Sequence, residues 1–273
     1  NFTSPTPTNA STQAGTSIYV NVSSNDSSMH YTFADFDNSV VLWMRMDDIN
    51  SSGDPTDISR YSNNGTKVEG AHQNSSGVFG ESFLFDGTDD YINISYSSSL
   101  YVIKNASNFS LFAWINVTTN SNNDVIFSQA DADGSATGRH WLVLTTAGNL
   151  NTLINGTTKT LATGLSTNIT YHVGLTYNGT TFVGYVNGTS QNTSTSTGND
   201  EGETGAFYIV TVSALGQDFQ GMIDELIMFN RTLTNQEVLA LYNASANQYY
   251  NNFTNLATGT HTFTAHAVDT AGN

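Results

Sequence analysis

Apolar residues in this chain come in short runs, alternating with polar ones or unbroken for a few positions, and clusters of Gly, Asn, Asp and Ser separate the runs. Such a pattern predicts strands rather than helices, because successive side chains on an extended backbone point to opposite faces. The runs are "SIYVNVSS" near the start, "VVLWMRM" from Val40, "SFLF" from Ser82, "YINIS" from Tyr91, "FSLFAWINV" from Phe109, "DVIFSQ" from Asp124 and "HWLVLTT" from His140. All are rich in β-branched and aromatic residues. They predict an all-β sandwich.

Turn chemistry adds order to the strands. In "YHVGLTYNGTTFVGYVNGTS" the pairs Asn178-Gly179 and Asn187-Gly188 accept the positive φ of two-residue hairpin turns, and Asn155-Gly156 offers a third. Only "RTLTNQEVLALYNA" reads as helix: Thr234 caps the first turn, Glu237 bonds back to it, and Val238, Leu241 and Tyr242 make one apolar stripe. The first residues, with Pro5 and Pro7, predict an extended lead. No internal repeat of roughly 20 to 50 residues is visible.

Composition narrows the function classes. The 273 residues, 38% of them hydrophobic, suffice for one large or two modest domains. Asp and Glu number 23 against 7 Lys and Arg, a formal charge of −16 that repels nucleic acid and anionic membranes. No apolar run is long enough for a membrane-spanning helix, so no membrane insertion is expected. There is no cysteine, hence no disulfide, thiolate zinc site or thiol nucleophile. The sequence begins at Asn1 rather than Met, with no basic-then-apolar leader, as a processed product or a segment of a longer protein would. Roughly twenty Asn-x-Ser/Thr sequons, with few Lys and many small polar residues, point to an extracellular or cell-surface glycoprotein. Candidate acceptors are Asn21, Asn64, Asn93, Asn116, Asn155, Asn178, Asn187 and Asn230.

The segments "LWMRMDD", "DISRYSNNGT", "GESFLFDGTDDYINI", "FSLFAWINV" and "FQGMIDELIMFNRTLTNQEVLALY" resemble, in this order, the concanavalin A-like jelly roll of the laminin-G-like class. The resemblance spans 39–243 and implies a sandwich shared by lectins, glycosidases, adhesins and structural modules. "HTFTAHAVDTAGN" is similar to the penultimate strand and turn of an immunoglobulin-like bacterial or archaeal surface domain. The expected organisation is therefore an extended segment and Ig-like strands in 1–38, the jelly roll in 39–243, and further Ig-like strands in 244–273. The jelly roll would be inserted into an Ig-like sandwich one strand short. An open edge of that kind recruits a strand. The uncharged segment "NFTSPTPTNAST", with Phe2, Thr3, Thr6 and Thr8, could supply it to a neighbouring copy and so build a homopolymer. A tandem domain of one long chain is the alternative.

Acidic residues are the candidate chemistry. Glycosidases of the concanavalin-like group carry a Glu-x-Asp-x-x-Glu run on one strand face, and it is absent here. Of Glu69, Glu81, Glu201, Glu203, Glu225 and Glu237, only Glu225 falls in a good strand, with Asp224 beside it on the opposite face. Gly-x-Ser-x-Gly is missing, and the six His, including His261 and His266 five apart on one strand, lie in ordinary contexts. No enzyme is expected. The resemblance implies a structural calcium where early and late strands meet, at Asp47 or Asp48, at Asp86 and Asp89 in "FDGTDDYINI", and at Asp224. Asp86-Gly87 is also a good turn pair, with Asp89 free to cap backbone amides. Asp131 and Asp133 begin an incomplete calcium loop, while Asp54, Asp57 and 199–203 read as solvated loops. Trp43, Trp114 and Trp141 sit in apolar runs and predict core packing, leaving the loop residues Tyr61 and Tyr101 as sugar-stacking candidates. The expectation is a non-enzymatic, self-associating extracellular structural or adhesive protein. A carbohydrate-binding module for surface glycans is the alternative, and a degenerate glycosidase a distant third.

Overall fold

The computed structural model describes residues 1–25, 30–101, 108–120, 123–129, 139–154, 157–195, 205–211, 219–243 and 248–269. Two antiparallel sheets form a jelly-roll sandwich. The front sheet has seven strands in the order β12 (Thr157–Ala162), β11 (Leu150–Ile154), β10 (Arg139–Leu144), β9 (Asp124–Gln129), β16 (Phe207–Ile209), β7 (Tyr91–Ile94) and β4 (Gly65–Val68). The back sheet runs β15 (Thr189–Thr195), β14 (Thr181–Val186), β13 (Thr170–Tyr177), β8 (Phe109–Thr119), β17 (Gln220–Phe229), β6 (Ser82–Asp86) and β5 (His72–Asn74), with β3 (Val40–Met44) also paired to β17. Facing side chains such as Ile92, Leu111, Phe127, Leu142, Leu175 and Leu226 fill the space between the sheets.

A second core lies on the outer face of the back sheet. It contains Trp43, Phe112, Trp114, Ile227 and Phe229 from that sheet, Val238 and Leu241 from the helix α1 (Asn235–Tyr242), and residues from four flanking strands. Those strands are β1 (Ile18–Ser23), β2 (His30–Phe36), β18 (Gln248–Phe253) and β19 (Phe263–Asp269). β1 pairs with β18 and β2 with β19, so the jelly roll interrupts two ladders formed by the chain's own flanks. Phe33 meets Trp43 at 5.1 Å, and Phe36 stacks on Phe253 at 3.9 Å. This explains the unbroken apolar run of β8, which is buried on both faces. Trp43 and Trp114 are core residues, as their runs predict. The side chain of Trp141 lies outside the described residues.

Local chemistry agrees with the sequence in places and departs from it in others. Thr234 and Glu237 form the reciprocal capping box. Asn187 (φ 50°) and Gly188 (φ 72°) make the two-residue turn between Val186 and Thr189. The Asn178-Gly179 turn is longer: the last ladder pair is Tyr177 with Phe182, and Asn178 acts through its side chain, whose Oδ1 accepts from the amides of Thr180 and Thr181. Asn155-Gly156 lies outside the described residues, although β11 and β12 pair on either side of it. The simple alternation expected at Asp224 and Glu225 fails, because a bulge in β17 puts Glu225 in the left-handed region at φ 48° and both side chains are buried. His261 precedes β19 rather than sharing a strand with His266.

The N-terminal segment is engaged within its own chain. Phe2 bridges Val22, the Thr3 amide donates to Asn21 O at 2.9 Å, and Ser23 N donates to Asn1 O at 2.8 Å. Thr6 Oγ1 accepts from Asn21 N at 2.7 Å, and Phe2 packs edge-on against Phe263 at 5.2 Å. The segment thus lines the edge of β1 away from β18. Thr8 is exposed and accepts only from the Ser11 amide among the described residues.

Candidate functional site

The connection between β6 and β7 carries the chain from the back sheet to the front sheet, and its turn holds Asp86, Asp89 and Asp90. Gly87 at φ 82° takes the left-handed position that this turn requires. Asp86 Oδ1 accepts from the Thr88 amide at 2.8 Å, and Asp90 Oδ2 from the Asp86 amide at 2.9 Å. Asp86 and Asp89 are exposed, whereas Asp90 is 3% exposed and its Oδ1 has no partner. One carboxylate oxygen from each of the three lies within 4.8 Å of the others. The turn and metal readings are therefore compatible: backbone amides use one oxygen each of Asp86 and Asp90, and hard oxygen donors remain for a divalent cation.

The wider calcium set does not assemble. β17 places Gln220, not Asp224, opposite Asp86, and Asp224 follows four residues later, about 13 Å along an extended strand. Asp224 is fully buried, and its Oδ2 accepts from the amides of Val78 at 2.7 Å and Phe79 at 3.1 Å. Burial, then the neighbouring Glu225, holds its carboxyl well above the usual carboxylate range. Asp48 is paired with Arg45 at 2.8 Å. Asp47 accepts from the Glu81 amide at 2.7 Å.

Other acidic expectations change as well. Asp57 is no solvated loop residue: it is buried and accepts from the amides of Trp43, Ser59 and Asn63, tying the loop to β3. Asp54 accepts from the Lys67 amide at 3.1 Å. Glu225 is buried and accepts from Trp43 Nε1, a side chain of the second core, at 2.7 Å. Asp131, Asp133, Glu201 and Glu203 lie outside the described residues.

The aromatic candidates separate. Tyr61 is exposed, but the Arg60 guanidinium sits 5.6 Å over its ring. Tyr101 is half-buried and meets Tyr96 edge-on at 6.0 Å. A pair that the sequence reading did not single out stands next to the acidic turn. Tyr91 directly follows Asp90, and its ring meets that of Tyr208 on β16 at 5.9 Å. Both are half-buried and alternate with Ile92, Phe207 and Ile209 of the core, which puts them with Asn93 on the outer side of the front sheet. Asn93 pairs with Tyr208 across the ladder, and its Oδ1 is buried without a partner. The signal was present in "YINIS", where Tyr and Asn alternate with Ile, but the long-range partner Tyr208 could not be read from spacing.

The sequons fall into three groups. Asn64, Asn178 and Asn230 are exposed; Asn93, Asn116 and Asn187 are half-buried. Asn21 is covered by the N-terminal segment, and its Nδ2, the atom a glycan would use, donates to Ser4 O at 2.9 Å. A glycan there requires that segment to leave. Asn155 lies outside the described residues.

The model of the concanavalin A-like lectin/glucanases superfamily matches residues 86–239, more than half of the chain. The chain belongs to this superfamily. The match begins at the acidic turn and ends within α1. Solved structures align with the chain at low identity. The binding domain of Paraclostridial Mosquitocidal Protein 1 has a TM-score of 0.61 and 16% identity, over 76% of this chain and 52% of that one. Domain 4 of AbnA, a GH43 extracellular arabinanase from Geobacillus stearothermophilus solved with arabinotriose, has a TM-score of 0.60 and 16% identity, over 75% and 98%. Trypanosoma rangeli sialidase, solved with sialic acid, has a TM-score of 0.59 and 16% identity, over 76% and 33%. The chain thus spans about half of the toxin domain and a third of the sialidase. These likenesses establish the fold. The sequence matches no curated protein. No helix among the described residues is long and apolar enough to cross a membrane.

Proposed function

We propose that the chain is a non-enzymatic extracellular binding module whose front-sheet tyrosines recognise glycans, with a calcium ion held by the Asp86, Asp89 and Asp90 turn. The observation that carries this reading is the juxtaposition of the half-exposed Tyr91–Tyr208 pair and the three converging carboxylates. Aromatic faces stack on the apolar face of a sugar ring, and the cation relieves repulsion among the carboxylates. The names of the structural neighbours, among them a toxin binding domain and two proteins solved with sugars, support a binding role. The exposed sequons Asn64, Asn178 and Asn230 suit a surface glycoprotein.

The test is a glycan array followed by calorimetry on the best ligand. Tyr208→Ala should weaken binding at least tenfold while leaving the fold intact. A chelator should lower the melting temperature, because a ligand of the native state stabilises it by linkage. A wild-type protein that binds no glycan, or a Tyr208→Ala variant that binds equally well, would sink the glycan reading. A melting temperature indifferent to chelator would remove the calcium.

A second reading is structural: end-to-end assembly by strand addition onto flanks that form an incomplete Ig-like sandwich. It is favoured by the two flanking ladders, each of two named strands among the described residues. Such assembly needs residues 1–8 to leave their own β1 and pair with that of a neighbour, since Phe2, Thr3 and Thr6 are engaged in cis.

A further inference from the structure

The β1–β18 ladder turns one face to the second core and the other to solvent. Val20, Val22, Tyr249, Asn251 and Phe253 are buried, and the residues between them point the opposite way. The register sets Tyr19 opposite Asn252 and Asn21 opposite Tyr250, so these four side chains share the outer face. The rings of Tyr19 and Tyr250 stack at 5.6 Å and 28°, yet Tyr19 stays 38% exposed and Tyr250 52%. Paired rings left in water call for an occupant more than a scattered single ring does.

Asn252 stands directly across from Tyr19 and two residues after Tyr250. Opposite Cβ atoms in a ladder are about 4.5–5.5 Å apart, and same-face neighbours along one strand about 6.5 Å, so both rings lie within reach of a group on its amide. Asn252-Phe253-Thr254 is a sequon, and Thr254 is exposed. The Asn252 Oδ1 is buried without a partner, and no hydrogen bond among the described residues occupies its Nδ2. Asn21 on the same face differs, because its Nδ2 is held by Ser4 O at 2.9 Å. The core side fixes this placement: Tyr249 is buried and Phe253 stacks on Phe36 at 3.9 Å, so β18 cannot turn Asn252 inward without losing both.

We infer that Asn252 is an N-glycosylation site whose first sugar lies against the Tyr19–Tyr250 pair. The inference rests on the surface-glycoprotein reading. The donor is a glycan activated on a lipid phosphate. Nδ2 attacks its anomeric carbon, a C–N bond forms as the C–O bond to phosphate breaks, Nδ2 gives one proton to a base of the transferring enzyme, and the lipid phosphate leaves. The attached pyranose presents a face of C–H groups, which the exposed rings cover.

The test prepares the full chain and Asn252→Gln from a glycosylating and a non-glycosylating host, each also with Tyr250→Ala. Tyr250 is exposed, so its truncation spares the core. Mass spectrometry should find Asn252 occupied in the glycosylating host. The loss of melting temperature on Asn252→Gln should be about 2–4 °C larger in glycosylated than in unglycosylated protein, and this excess should vanish with Tyr250→Ala. A bare Asn252 beside glycosylated Asn64, Asn178 or Asn230 overturns the inference and leaves the surface-glycoprotein reading standing; a chain bare at every sequon overturns both. An occupied Asn252 with no such excess, or with one that survives Tyr250→Ala, overturns the seat on the tyrosines.

Discussion

The core between the two jelly-roll sheets and the core outside the back sheet share strand β8, yet they follow different rules. Between the sheets, Leu111, Ala113, Ile115 and Val117 meet side chains that are aliphatic or aromatic almost throughout. On the other face, Phe112 and Trp114 meet His172, the helix and the flanking strands, and buried polar groups such as Asp224, Glu225 and Glu237 lie close by. The first core needs only alternation to be specified. The second recruits a face that alternation alone would give to solvent, and it has to match each polar group individually.

Acid provides the sharpest way to separate the two. Burial pushes the His172 imidazole down to about 3, so the folded state holds fewer protons than the unfolded one below the ordinary histidine pKa. The stability that His172 contributes is present above pH 6.5 and is lost as pH falls toward 3, on the order of 5 kcal/mol over the full window. Asp124, at the start of β9 on the front sheet, does the reverse. Burial lifts its carboxyl to about 7, so its contribution is full below pH 4 and is lost as pH rises through 7. That smaller effect is on the order of 2 kcal/mol after allowance for solvent screening. Urea unfolding between pH 3.5 and 7.5 should show a shallower acid slope in His172→Phe and a gain at neutral pH in Asp124→Asn. Parallel slopes for wild type and His172→Phe would mean that the imidazole is hydrated.

Truncation compares the two faces of one strand directly. Phe112→Ala and Leu111→Ala should each cost about 3–4 kcal/mol, because both are fully buried. Gly174 sharpens the point: a Cβ there would lie 2.2 Å from Phe112 Cδ1, so the neighbouring strand has cleared room for that ring. A cost confined to Leu111→Ala would show the second core to be loosely packed. The smallest expected effect is deletion of residues 1–6, which removes the Thr6 and Thr3 bonds to Asn21 and should cost about 1–2 kcal/mol by thermal melt. Negative-stain images of the same pair of proteins decide the assembly reading: polymers of the full chain that vanish on deletion support it, and monomers of the full chain end it.

What the sequence made legible was local or periodic. The capping box at Thr234 and Glu237 and the turn at Asn187-Gly188 are visible because their partners lie within a few residues. The strands of the jelly roll follow from alternation, and the superfamily match covers residues 86–239 of the span 39–243 over which the sequence resembles it. Asn178 shows the limit even of local rules, since this Asn-Gly pair takes its positive φ at Gly179 alone while Asn178 acts through its side chain. The rest depends on contacts far apart in the chain. Asp57 reads as a solvated loop residue because nothing nearby reveals that it will cap the Trp43 amide. Asp224 looked like a partner for Asp86 until the register of β17 against β6 put Gln220 there instead. Tyr208 becomes interesting only once β16 lies beside β7.

The flanking ladders also define a path for force. Tension applied through residues on either side of the jelly roll enters β1 and leaves through β19, and it meets the β1–β18 and β2–β19 hydrogen bonds before it reaches any strand between them. The sandwich hangs beside that path as a side loop. A module so mounted stays folded while the flanking ladders bear the tension.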